Sequence, residues 1–500
     1  MLPHGLLRVA AAVPRLRVAD CTYNAERLGG LMRQAGEQDV GVLVFPELAL
    51  TGYTCGDLFH QTTLQRAALA GLDRLVTASG TDFAGLALVG LPLVVDDQLF
   101  NAAVVLHRGK ILGIVPKTFL PNYKEFYERR WFAPARNGHS QTVQLPGQKD
   151  VPFGSDLLFS ALNVEGLIVG VEICEDLWMP NPPSSRQALH GATLLTNLSA
   201  SNEVIGKPAY RRQLVEGQSG RCVAAYVYTS CGVWESTTDL VFGGHCLIAE
   251  NGSLLMESKR YQREETLLVA DVDLERLRIE RLRTNSYGDG YIQQSAGPPY
   301  RVQSFRLAPV ARTPEIGFHT AHSTPAPAVR LRRDIDPHPF VPRASEQLRE
   351  RCEDIFHTQV AGLAKRLEHI GTPPLSIGVS GGLDSTLSLL VVCKTLDLLG
   401  QPRSRIRAFT MPGFGTTART KRNAVDLMQQ LGVAAQEVDI RNLCLEEWRA
   451  IGHRPFGIDL AGLDVAGLTA RLQQVPAERQ QDLVFENVQA RMRTSILMNS

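Results

Sequence analysis

The sequence has no Cys-x-x-Cys pair: its nine cysteines, at positions 21, 55, 174, 222, 231, 246, 352, 393 and 444, are scattered and odd in number. Neither a disulfide framework nor a zinc site finds support in that spacing. An excess of one charge is also missing. The formal net charge is +1 with the signs interspersed, which leaves no basic footprint for nucleic acid and no acidic tail. No apolar run reaches the length of a membrane span, and the opening stretch MLPHGLLRVAAAVPRLRVADC is interrupted by Pro14, Arg15 and Arg17. A soluble, cytoplasmic chain with no nucleic-acid or membrane partner is expected. Internal repeats, low-complexity tracts and heptads are absent. No Gly-Lys-Ser or Gly-Lys-Thr closes a glycine-rich loop, so the phosphate loop of kinases and GTPases is not present.

What is there is 500 residues, more than one typical core holds, so at least two domains are expected. The first 300 alternate apolar runs with helical patterns, as α/β domains do. Runs at 40–45, 86–93, 102–106, 167–174 and 192–197 predict buried strands, and 25–37 and 62–78 predict helices. From about Ser304, Pro309, Pro314, Pro325, Pro327, Pro337, Pro339 and Pro342 thin out regular structure, predicting a linker over 301–343. A second α/β unit is expected over 344–500. It begins with an amphipathic helix at 344–369 and continues with a strand at 406–411 and a helix after Thr420.

The most informative stretch is 374–385, PLSIGVSGGLDS, an apolar strand that breaks into a Ser-Gly-Gly-Leu-Asp-Ser loop before a helical pattern. Gly381 and Gly382 permit a tight turn that points successive backbone N–H groups inward. Those donors, with the positive end of the following helix, suit a phosphate-rich ligand. Ser380 and Ser385 add hydroxyl donors. Asp384 orients the loop or holds a Mg²⁺ carried by the nucleotide.

Three further motifs each set a reactive side chain just beyond a strand. Glu47 follows VGVLVF, Lys117 follows the strand pair AAVVLHRGKILGIVP, and Cys174 ends GLIVGVEI and opens a sharp turn with Glu175 and Asp176. No member is decisive alone. Together they have a shared chemistry: a thiolate attacks an amide carbonyl, a carboxylate moves its proton to the departing ammonia, and an ammonium steadies the oxyanion. The backbone N–H of Glu175 is a second potential oxyanion donor.

The order Glu, Lys, Cys resembles the nitrilase and carbon–nitrogen hydrolase superfamily. That resemblance implies an α-β-β-α sandwich with Cys174, Glu47 and Lys117 catalytic and Glu128 as the supporting second carboxylate. The hexamer at 380–385 resembles the pyrophosphate loop of the N-type ATP pyrophosphatases. It implies a doubly wound parallel sheet of the adenine nucleotide α-hydrolase kind. The pairing resembles the glutamine-dependent NAD synthetase family, carried by YNAERL, FPELALTGY, FLPNYKEFYERRWF, ICEDLW, NLSASNEVIGK, MPGFGT and FENVQARMRT.

By that resemblance glutamine, ATP and deamido-NAD are the substrates, with Mg²⁺ arriving on ATP and no tightly bound prosthetic group. Tyr123, Ser201 and Lys207 are expected to contact glutamine, although the family often has Arg at the place of Lys207. Gly378, Val379, Ser380, Gly381, Gly382, Leu383, Asp384 and Ser385 are expected to bind ATP, with Asp384 as a metal ligand, and Asn487 to meet deamido-NAD. A sheltered route for ammonia and a homo-oligomer, an octamer in the full-length family, are implied too. No Thr-Gly-Asp-Leu-Ser-Glu stretch occurs. The expectation is therefore a C-terminally truncated chain with an incomplete second domain, keeping glutaminase chemistry with weak or no synthetase activity. Two alternatives stand beside it: an amidotransferase of this architecture with another carboxylate acceptor, and an amidase carrying a non-catalytic nucleotide-binding module.

Overall fold

The structure is a computed structural model describing residues 5–294, 299–308, 330–341, 345–476 and 481–500. It divides into two compact units, Met1–Ile335 and Asp336–Ser500. In the first unit, one sheet runs in the order Thr266–Asp273, Leu6–Val13, Val42–Val44, Leu86–Val95, Gln98–His107, Lys110–Pro116. The other runs Ser253–Glu257, Leu247–Glu250, Ala225–Ser230, Leu194–Ser199, Ile168–Ile173, Leu157–Ala161, Arg301–Phe305. Three neighbouring strands in each sheet are parallel, and it is beyond these that Glu47 and Cys174 fall.

Alternation along the strands explains the layering. Val9, Ala11, Val42, Val44, Val171, Ile173 and Val227 meet in one apolar core. Their neighbours Ala10, Ala12, Leu43 and Phe45 turn outward onto Leu28, Met32, Leu72 and Leu75 of helices Cys21–Glu37 and Thr62–Thr81. On the far side, Leu195, Tyr226 and Tyr228 meet Ala188 and Val215 of helices Pro183–Leu189 and Lys207–Cys222. Both faces of both sheets are covered, which is why these strands read as continuous apolar runs. The result is the expected α-β-β-α sandwich.

Part of the expected linker is not linker. Residues 301–305 form a strand in parallel register with Leu157–Ala161, Arg301 opposite Leu157 and Phe305 opposite Ala161. Phe305 and Leu307 enter the apolar core between the sheets, and Arg301 Nε donates to Asp156 Oδ2 at 2.8 Å. Farther along, Arg333 donates to both carboxylate oxygens of Glu250, at 2.7 and 2.8 Å. The prolines that suggested a linker all lie beyond this strand. Pro309, Pro314, Pro325, Pro327 and Pro342 fall outside the described residues.

The second unit holds a parallel sheet in the order Leu375–Gly378, Ile406–Thr410, Ala434–Glu437. Ile406 and Ala408 pack with Leu367, Leu389, Cys393 and Met428 of helices Ser345–Ile370, Leu383–Leu398 and Ala418–Gln430. Phe409 packs with Cys444, Trp448, Phe485 and Val488 of helices Arg441–Ala450 and Leu483–Met498. Helices thus cover both faces, the doubly wound arrangement. Among the described residues, no helix is long and apolar enough to cross a membrane.

Candidate active sites

Glu47 follows strand Val42–Val44, and its backbone N–H donates to Ser199 O at 3.3 Å. The chain can pass this close to the sheet only because residue 90 is glycine. A Cβ there would lie 2.3 Å from Leu48 N and 2.9 Å from Glu47 C. Lys117 follows Lys110–Pro116, and its N–H donates to Asn101 O at 2.8 Å. Glu128 opens a short 3₁₀ turn.

The structure brings these three side chains into one buried cluster. Lys117 Nζ donates to Glu47 Oε1 at 2.6 Å and to Glu128 Oε1 and Oε2 at 2.7 and 2.9 Å. Asn101 Nδ2 also donates to Glu47 Oε1, at 2.6 Å, and Tyr53 OH donates to Glu128 Oε1 at 2.8 Å. Glu47 Oε2 is buried without a partner. Burial alone would depress the lysine, but the Glu128 and Glu47 charges outweigh it and hold the ammonium well above its ordinary range. Burial pushes the Glu128 carboxyl up, against the pull of Lys117.

Cys174 is buried at the start of the 3₁₀ turn Cys174–Trp178, directly after strand Ile168–Ile173. Its φ is 44°, a left-handed conformation that costs a non-glycine residue about 1–3 kcal/mol. Two groups hold that turn. The Cys174 N–H donates to Asn197 Oδ1 at 3.1 Å. Asp176 accepts from Ile173 N at 3.0 Å and Phe119 N at 2.8 Å, tying the Lys117 segment to the cysteine turn. Burial and the charge of Glu47 raise the Cys174 thiol, and Lys117 opposes them. The resting sulfur is therefore a protonated thiol that needs a base.

Around this cluster, Tyr123 OH donates to Glu175 Oε1 at 2.8 Å. Lys207 bonds Asn202 Oδ1 and lies 5.3 Å from the ring centroids of both Phe126 and Trp178. Burial lowers its pKa. Ser201 is buried, and its Oγ accepts from Arg211 Nη2 at 3.1 Å. Sequence reasoning missed Tyr53, Asn101, Asn197 and Asp176. Asn197 was visible only as the last residue of the apolar run 192–197, with nothing to mark its side chain as a partner of Cys174.

In the second unit, Gly381 has φ 81°, and a Cβ there would lie 2.1 Å from Thr420 O. Ser385 Oγ accepts from Ser380 N at 3.2 Å and donates to Gly382 O at 3.1 Å, closing the loop on itself. Gly378, Val379, Ser380 and Gly382 line a cavity of about 610 Å³, together with Gln489 and Arg493. Gly381, Leu383, Asp384 and Ser385 are not among its lining residues, and Asp384 is exposed. Asn487 is also exposed and outside that lining; Glu486 and Gln489 of the same helix face the cavity instead. A helix turns about 100° per residue, so neighbours of a lining residue point elsewhere. No group of three or more His, Cys, Asp or Glu side chains suited to a metal ion occurs among the described residues.

Residues 8–280 match the carbon-nitrogen hydrolase family, and residues 355–454 match the NAD synthase family. A glutamine-dependent NAD(+) synthetase from Mycobacterium leprae is 42% identical over 99% of this chain and 67% of its own length. Its counterpart from Mycobacterium tuberculosis is 41% identical over 99% of this chain and 68% of its own. A solved glutamine-dependent NAD+ synthetase from Acinetobacter baumannii, in complex with ADP, is 21% identical, covering 98% of this chain and 72% of that one, with a TM-score of 0.44. The chain spans about two thirds of the length of these relatives. With identity at this level sustained along it, the chain belongs to the glutamine-dependent NAD(+) synthetase family.

Proposed function

We propose that the first unit hydrolyses glutamine at Cys174 and that the second uses ATP to join the released ammonia to deamido-NAD. The observation that carries the reading is the buried Lys117 ammonium bonded to Glu47 and Glu128, with Glu47 Oε2 left without a partner. A buried carboxylate oxygen without a partner costs stability, and a catalytic role is one reason a fold keeps it.

Glu47 Oε2 takes the thiol proton as Cys174 Sγ attacks the glutamine amide carbon. Lys117 and the Glu175 backbone N–H then steady the oxyanion. As the C–N bond breaks, Glu47 returns the proton to the departing nitrogen, leaving ammonia and a glutamyl thioester. Water, deprotonated by Glu47, opens the thioester to glutamate and restores the thiol. Glu128 keeps Lys117 in place and charged. Tyr123, Ser201 and Lys207 hold the amino-acid end of glutamine.

In the second unit, the 378–385 loop and the N-terminus of helix Leu383–Leu398 hold the ATP phosphates. Mg²⁺ enters as part of the ATP substrate. Asp384 would reach it, since this ion is held by one or two carboxylates with the phosphates. The nicotinate carboxylate attacks the α-phosphate and releases pyrophosphate, and ammonia then displaces AMP to give NAD.

Cys174→Ala tests the assignment. Glutamine hydrolysis is expected to disappear, and unchanged hydrolysis overturns the reading. Pyrophosphate release triggered by deamido-NAD, and not by other carboxylates, tests the acceptor.

A further inference from the structure

The segment Ser201–Lys207 carries two residues proposed to hold glutamine, yet as far as Gly206 it is not helix, and something must fix its shape. That group is Arg211, fully buried on helix Lys207–Cys222. Its Nη2 donates to Ser201 Oγ at 3.1 Å, Ser201 O at 3.4 Å and Asn202 O at 3.2 Å. Its Nη1 donates to Glu203 Oε1 at 3.1 Å and to His245 Nδ1 at 2.9 Å. One planar guanidinium thus grips three consecutive residues of the loop and one imidazole.

His245, 1% exposed, completes the arrangement. A guanidinium can only donate, so Nδ1 must accept and the ring proton must sit on Nε2. Nε2 lies 2.8 Å from Glu257 Oε1. The imidazole is therefore held neutral, with one nitrogen accepting and the other donating. The charged groups around it are Arg211 of the helix, Glu203 of the loop, with Arg260 Nη1 2.9 Å from its Oε2, and Glu257, with Arg212 Nη2 2.7 Å from its Oε1. Adding a proton to Nδ1 would set N–H against N–H and cation against cation, and the Arg211 fork would lose that anchor.

We propose that Arg211 and His245 are a positioning pair for the glutamine-holding segment Ser201–Lys207, and that protonation of His245 loosens the segment and weakens glutamine binding at acid pH. The inference rests on the reading of this unit as a glutaminase. Burial lowers the His245 pKa; the Glu257 hydrogen bond opposes that and Arg211 reinforces it. The loosening accordingly belongs below the usual histidine range.

The test is the KM and kcat of Cys174-dependent glutamine hydrolysis from about pH 8 to about pH 5, on the full chain and on His245→Gln and Arg211→Lys. A glutamine side chain offers the same acceptor and donor but cannot be protonated. In the parent, KM is expected to rise as the pH falls, beyond any change in kcat. In His245→Gln that rise is abolished while KM near neutrality is kept. Arg211→Lys, which cannot grip three residues at once, is expected to raise KM by about tenfold or more at neutral pH, the scale of one lost charged hydrogen bond. A His245→Gln profile that superimposes on the parent at every pH overturns the proposal alone. Hydrolysis that survives Cys174→Ala overturns the glutaminase reading and the proposal with it.

Discussion

Asn197 Oδ1 accepts a hydrogen bond from the Cys174 backbone N–H at 3.1 Å and another from Ser199 Oγ at 2.7 Å. A side chain of the neighbouring strand thereby fixes the left-handed turn of the nucleophile. Asn197→Ala leaves a buried N–H without a partner and should cost about 1–3 kcal/mol in stability. The kcat for glutamine hydrolysis should fall as well. Asn197→Asp keeps an acceptor and should recover part of that kcat. Thermal melting and steady-state kinetics on the two variants check this.

Gly90 controls the other side of the same site. A methyl group at this position meets the backbone of Glu47 and Leu48. Gly90→Ala should move the carboxylate away from the sulfur and lower the kcat for glutamine hydrolysis by about a hundredfold, the usual result of a displacement near 1 Å. Measured kcat within a factor of about two of the parent would contradict this use of the glycine.

Glu235 gives a stability prediction with a definite sign. Its Oε2 accepts from Tyr53 N at 2.6 Å, its Oε1 is buried without a partner, and burial pushes its pKa up to about 7. Between the ordinary carboxylate range and that value, the folded chain keeps a proton the unfolded chain has released. This group therefore contributes a loss of stability as the pH rises through that window. Glu235→Gln removes the charge. It should stabilise the chain by about 1–3 kcal/mol near pH 8 and by little near pH 5, as read by denaturant unfolding at both pH values.

Gly381 offers a change confined to the second unit. Alanine there collides with Thr420 O and must adopt a positive φ. Gly381→Ala should weaken ATP binding by about tenfold or more, roughly the 1–2 kcal/mol cost of the left-handed conformation. Glutamine hydrolysis should be unchanged. Equilibrium titration with ATP, run beside a hydrolysis assay, separates the two.

Strand-borne features were legible in the sequence because they are local. The β-branched runs gave the strands around Val42, Leu86, Ile168 and Leu194, and the residues just beyond them gave Glu47, Lys117 and Cys174. What was not legible depends on pairing between distant segments. Tyr53 reaches Glu128 across 75 positions and Asn197 reaches Cys174 across 23. Nothing local marks such residues as partners. The strand at 301–305 was missed for a related reason: only Phe305 in it is fully buried, so its pattern is weak, and its place is set by parallel pairing with residues far upstream. The choice of Asn487 rested on a motif, and motif position alone does not say which helical face looks into the cavity.

Of the nine thiols, eight are buried, Cys174 among them, and only Cys352 is exposed. Cys352 stands open to solvent while the Cys174 sulfur is buried, so a soluble maleimide should modify helix Ser345–Ile370 before it touches the nucleophile. A fluorophore can therefore be installed at one known place on the second unit without blocking the first.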